Sequence, residues 1–178
     1  MLLPPGYSGR PASLADVEAV AELLNTCSIA RWGQPEVTAG QVRADWLAPG
    51  FRPERDACLI GSRAGQLVAL AEVYDTAPHV RLSALAEVHP SHRGRGLGTA
   101  LADWIEARAR AALPSAPPEA QVVLTQERAE GDSSARALLM GTGYTVVRHN
   151  LRLERHLDVP LPAPQPPAGI TIRPFVRG

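Results

Sequence analysis

Residues 85–110 read LAEVHPSHRGRGLGTALADWIEARAR. An alternating apolar run meets Gly94, Gly96 and Gly98, and a helical pattern begins at once. Few folds accept such a junction. Glycines this dense allow left-handed turns and let another molecule approach the main chain closely. A helix opening there presents unpaired N–H groups and about half a positive charge. Arg93 and Arg95 add cationic donors. The junction reads as a seat for a phosphate or diphosphate at a helix start. No Gly-Lys-Ser/Thr follows, so it is not a P-loop. No parallel βαβ unit with a ribose-binding acid surrounds it, so it is not the dinucleotide fingerprint.

The rest of the chain supplies neighbours for that junction. Residues 6–12 suit a first strand. Ser13 with Asp16 forms a capping-box pattern ahead of Leu14, Val17, Val20, Ala21 and Leu24 at helical spacing. Residues 29–37 read as a loop. Thr38 caps a second helix over 39–47, which Pro49 and Gly50 end. Strands are expected at 57–62, 67–74 and 80–89, forming an antiparallel meander with a hairpin at 63–66. A helix over 97–112 carries Leu97, Leu101, Trp104 and Ile105 on one face. A strand at 121–126, a helix from Asp132 or Ser133 to Met140, and a long alternating strand at 144–155 complete an α/β domain with a mixed sheet.

Three domain segments are expected. Residues 6–158 form the folded domain, and the proline-rich stretch 159–168 is an extended linker. Residues 169–178, GITIRPFVRG, look like the first strand of another domain. They share glycine, a strand pattern and an Arg-Pro pair with residues 6–12.

Formal net charge is zero, and all 18 cationic residues are arginine. Bulk charge and sparse aromatics argue against a nucleic-acid partner. No apolar run approaches the roughly 20 residues of a membrane span. Cys27 and Cys58 lack metal-ligand spacing and read as buried residues of a reducing, cytoplasmic compartment. No metal is expected.

Val88-His89-Pro90, followed by Arg93, Gly94, Arg95, Gly96, Leu97 and Gly98, resembles motif A of the GCN5-related N-acetyltransferase (GNAT) superfamily. Asp132-Ser-Ser-Ala135 with Gly143-Tyr144 resembles a later block of that family. The resemblance implies a mostly antiparallel mixed sheet, splayed between its fourth and fifth strands and flanked by about four helices. It implies acetyl-CoA or another acyl-CoA as cofactor. Val88 and His89 would line the pantetheine arm, and Arg93, Gly94, Arg95, Gly96, Leu97, Gly98 and Thr99 the diphosphate. The implied reaction is transfer of an acetyl group to a small-molecule amine.

Glu87 follows Ala86 and precedes Val88, so alternation turns it to the opposite face of the strand. It is the leading base for the amine proton, with an arginine ion pair as the structural alternative. Glu127, at the end of the next strand, is the second choice. His89, His92 and His79 read as structural or exposed, Trp46 as core, and Trp32 as core or cleft. Arg31 lies in the region that shapes the family's acceptor site. One departure stands out: where many family members carry a tyrosine that protonates the leaving thiolate, this chain has Leu139. That departure and the tail motivate a second reading, a degenerate domain that binds acetyl-CoA or packs against a catalytic one. The partner is then a second domain of the same kind or a second copy.

Overall fold

The computed structural model describes residues 1–158, 160, 163 and 165–176. The chain divides into two units, Met1–Tyr144 and Thr145–Gly178.

In the first unit five strands lie side by side in chain order: β1 (Tyr7–Pro11), β2 (Ala57–Ser62), β3 (Leu67–Asp75), β4 (Arg81–Val88) and β5 (Val123–Gln126). The first four pair antiparallel, and β4 pairs parallel with β5. Parallel pairing needs a crossover, which α4 (Leu97–Arg110) supplies. The remaining helices are α1 (Val17–Trp32), α2 (Ala39–Trp46), the one-turn α3 (Pro53–Asp56) and α5 (Ser133–Gly141).

Period-two alternation along β3 sends side chains into two cores. Leu70 packs with Val17, Val20, Leu23 and Trp46 of α1 and α2. Ala69, Ala71 and Val73 pack with Leu97, Leu101 and Ile105 of α4. Those three α4 residues sit at spacings of four and are fully buried, as a sheet-facing stripe requires. Trp46 is core, and its indole donates to Glu72 Oε1 at 2.6 Å. Burial pushes the Glu72 carboxyl up, against hydrogen bonds from Trp46 and Tyr74 that favour its charged form.

The capping box expected at Ser13–Asp16 and the Thr38 cap are both formed, and Gln41 completes a second box at Thr38. Two expectations are corrected and one element is added. Residues 29–32 are helical: α1 runs to Trp32 and stops at Gly33, whose φ of 80° is left-handed. Pro53–Asp56 adds a helical turn, started by a proline at its first position. The strand expected at 144–155 does not form. Alternation makes a strand only where a neighbouring backbone takes its hydrogen bonds and a layer covers its apolar side.

Among its described residues the second unit contains no helix or strand. Val147, Leu151, Leu153 and Leu157 are all more than 80% exposed. The linker expectation falls partly on positions 159, 161, 162 and 164, and the tail expectation on 177 and 178, which lie outside the described residues.

Candidate active site

The β4–β5 ladder ends at the pair Ala84–Gln126, while β4 continues four residues to Val88. That is the splay. The His89 amide donates to Val68 on β3 at 2.8 Å. By alternation the backbone groups of Ala86 and Val88 turn the other way, into the gap. The Val88 carbonyl already accepts from Arg93 Nε at 3.3 Å and from Cys27 Sγ at 3.5 Å. The Ala86 groups and the Val88 amide face the gap beyond the last ladder pair.

Directly after β4 the chain makes a short 3-10 turn, Pro90–His92, and enters the glycine loop. Gly94 and Gly96 have φ of 72° and 81°. Both are left-handed, where a side chain is strained. Gly96 is the N-cap of α4, and the first bond of that helix runs from Ala100 N–H to Gly96 C=O at 3.1 Å. The amides of Leu97, Gly98 and Thr99 therefore have no acceptor within their helix. At Gly98 an added Cβ would come 3.2 Å from Leu138 Cδ2, so α5 closes down on this helix start.

A cavity of about 260 Å³ joins the two features. Val88, Arg93, Gly94, Gly96, Leu97, Gly98 and Thr99 line it. His89 and Arg95 do not. The His89 ring engages Ser91 at 2.8 Å, and Arg95 reaches the Tyr7 hydroxyl at 3.3 Å and the Ser91 carbonyl at 3.1 Å. Away from the glycine turn, Glu87, Gln126 and Arg128 line it together, and Asp132 and Leu139 line it as well.

Glu87 lies on the α1 side of β4, opposite Val88, and is 7% exposed. Arg31 Nη2 donates to both its oxygens at 2.8 Å, and Arg128 Nη1 lies 3.7 Å away. Glu127 is exposed and does not line the cavity; its neighbours Gln126 and Arg128 do. Arg128 Nη2 donates to Gln126 Oε1 at 3.0 Å, and the Gln126 amide donates to the Tyr144 hydroxyl at 3.0 Å. Burial and the charge of Arg31 push the Arg128 guanidinium down from its usual range, while Glu87 opposes that. Asp132 caps α5 through the Ala135 amide at 3.0 Å. Burial alone would raise this carboxyl, but hydrogen bonds from Ala135 and Ser134 hold it below the usual carboxylate range.

Of the other candidates, His92 also lines the cavity while His79 and Trp32 do not. His79 pairs with Asp75 at 2.8 Å, and His92 with the Tyr7 hydroxyl at 3.0 Å. Trp32 is exposed, with the Arg31 guanidinium 5.9 Å from its ring centre. Cys27 and Cys58 are buried and unbridged, and burial followed by the Glu87 charge pushes the Cys27 thiol up to about 11. Among the described residues no His, Cys, Asp or Glu group could hold a metal. No helix there is long and apolar enough to cross a membrane. Arg128 and Gln126 were not foreseen. The signal available was their i, i+2 spacing at the strand end, which puts both on one face.

A profile of the acetyltransferase (GNAT) family matches residues 17–130. The chain belongs to the GNAT family. A mycothiol acetyltransferase of Streptomyces avermitilis is 34% identical over 172 residues, which is 93% of this chain and 49% of that protein. One from Frankia casuarinae is 42% identical over 92 residues, 50% of this chain and 24% of the relative. The chain thus spans about half the length, or less, of these curated relatives. A GCN5-related N-acetyltransferase of Sphaerobacter thermophilus superposes with a TM-score of 0.73 at 33% identity, covering 81% of this chain and 45% of the other. The yncA structure of Salmonella typhimurium, with its cofactor acetyl-CoA, superposes at 0.62 with 20% identity, covering 80% and 82%. The five-strand mixed sheet with its flanking helices is that of a GNAT fold.

Proposed function

We propose that this chain is an acyl-CoA-dependent N-acyltransferase that moves an acetyl group from acetyl-CoA to a small amine. The observation that carries the reading is one cavity joining the α4 amides to the unpaired edge of β4. Acetyl-CoA supplies an acyl group already activated as a thioester.

The residues present fit that molecule. Left-handed Gly94 and Gly96 leave no Cβ in the turn. The amides of Leu97, Gly98 and Thr99, with Arg93, can hold a diphosphate. The Ala86 and Val88 backbone offers strand-like hydrogen bonds to an amide-bearing arm.

Glu87 is the group we assign to the amine proton. A carboxylate has about four lone-pair positions, and Arg31 uses one on each oxygen. The remainder can accept from an ammonium group or an intervening water. The mycothiol acetyltransferases among the relatives make an acceptor of their kind the first amine to test. We place the chain in the cytoplasm, which suits its two free cysteines. Its proposed partner is a second unit of the same fold or a second copy.

Calorimetry with acetyl-CoA, followed by thiol release across an amine panel, tests the reading. Binding and free thiol with at least one amine are expected. Binding without thiol release from any amine would reduce the chain to a holding domain. Absence of binding would overturn the reading entirely.

A further inference from the structure

Arg128 is a guanidinium whose side chain is only 14% exposed, in the wall of the cavity. Among the described residues it makes one side-chain hydrogen bond, to the neutral Gln126 amide. Its approach to Glu87, 3.7 Å, exceeds hydrogen-bond distance. Arginine carries five N–H donors and does not give up its proton in proteins. Burying such a group with donors unspent is costly, so a cavity wall that keeps one is arranged for a partner that arrives later.

The neighbouring charges are accounted for. Glu87 on β4 is engaged through both oxygens by Arg31 from α1. Asp132 spends Oδ1 on the Ala135 amide and the Ser134 hydroxyl at the start of α5. Tyr144 is neutral, and burial holds its phenol above the usual range. Arg93 lines the same cavity and its charge reaches Asp132, but it is exposed and its Nε is committed to the Val88 carbonyl. Among the described residues Arg128 is thus the buried cation of this cavity that no carboxylate engages by hydrogen bond. Leu139, where many GNAT enzymes have a phenol, lines the same cavity.

The geometry orders a ligand along the cavity. With its diphosphate on the α4 amides and its arm on Ala86 and Val88, the sulfur of coenzyme A comes to the Glu87–Arg128 end. We propose that Arg128 is the group that receives the charge of the leaving sulfur, in place of the absent phenol. The amine nitrogen attacks the thioester carbonyl, the C–N bond forms and the C–S bond breaks. The electron pair of the C–S bond goes to sulfur, which departs as a thiolate beside the guanidinium. The nitrogen's proton goes to Glu87, and solvent later protonates the sulfur. Arg128 stabilises without transferring a proton.

This rests on the acyl-CoA reading, and it is tested without turnover. Coenzyme A bound to the full chain is titrated by the ultraviolet absorbance of its thiolate, with desulfo-coenzyme A subtracting the protein's own thiols. A simple thiol titrates at about 8.5. Bound to the wild type, the sulfur is expected about one unit lower, as a nearby cation dictates. Arg128→Gln returns it to the free value, and Arg128→Lys keeps part of the shift. Circular dichroism and coenzyme A affinity confirm that each variant is folded. A wild-type thiol at or above the free value, or an Arg128→Gln thiol unchanged from wild type, overturns the proposal. If calorimetry shows no binding of coenzyme A to the wild type, the acyl-CoA reading itself has failed and this inference goes with it.

Discussion

The two ends of the cavity are built differently. At the glycine end main-chain amides do the work, and the sequence serves mainly by leaving side chains out. At the Glu87–Arg128 end side chains from β4, α1 and the segment after β5 meet, and each depends on a different element being in place. The first end tolerates exchange of most residues but not the arrival of a Cβ. The second tolerates little exchange, because Glu87 is held by Arg31 and removing either would leave a buried charge without its partner.

Substitutions at each end sharpen that contrast. Gly96→Asp should abolish acetyl-CoA binding, because it forces a side chain onto a left-handed position and sets a negative charge against the diphosphate. Calorimetry reads it, and unchanged affinity would show that the nucleotide lies elsewhere. Glu87→Gln should lower kcat by about 10²-fold or more, with little change in acetyl-CoA affinity. An unchanged rate would clear Glu87 of the base role and leave it as Arg31's structural partner. Equal losses in kcat and affinity would show that the two ends are not separable.

Asp132→Ala removes the cap of α5 and should cost about 1 kcal/mol of stability in a denaturant titration. Its pH dependence has a definite sign. The folded-state carboxyl lies below its usual range, so its contribution is fully present above the unfolded pKa. It is lost as pH falls through the folded value. Wild type and Asp132→Ala should therefore differ in stability at neutral pH and converge under acid. A constant difference would mean that the cap does not act as a carboxylate.

The same contrast explains what could be read from the chain beforehand. The glycine end is a contiguous run, and its helix pattern from Leu97 onward is local, so both were visible. β2 was legible for the same reason, from the turn residues that bound it. Glu87's face followed from counting by twos. Its partner did not: Arg31 sits in a stretch with Trp32, Gly33 and Pro35 that reads as loop, yet α1 continues one turn further. That extra turn brings Arg31 to a carboxylate 56 residues away. Arg128 was overlooked because its one local signal, the i, i+2 spacing from Gln126, does not tell a buried arginine from an exposed one. The segment after Tyr144 misled in the opposite direction, with alternation present and no ladder formed.

One consequence follows from the register of β4. Val88 belongs to the apolar layer over α4, and Glu87 to the opposite side beneath Arg31. Inserting or deleting one residue between Ala84 and Glu87 would exchange those destinations, burying a carboxylate among hydrocarbon and offering Arg31 an isopropyl group. Length changes in this stretch are therefore quantised: two residues at once can be survived, one cannot. Lineages descending from this sequence should show that parity as a gap pattern.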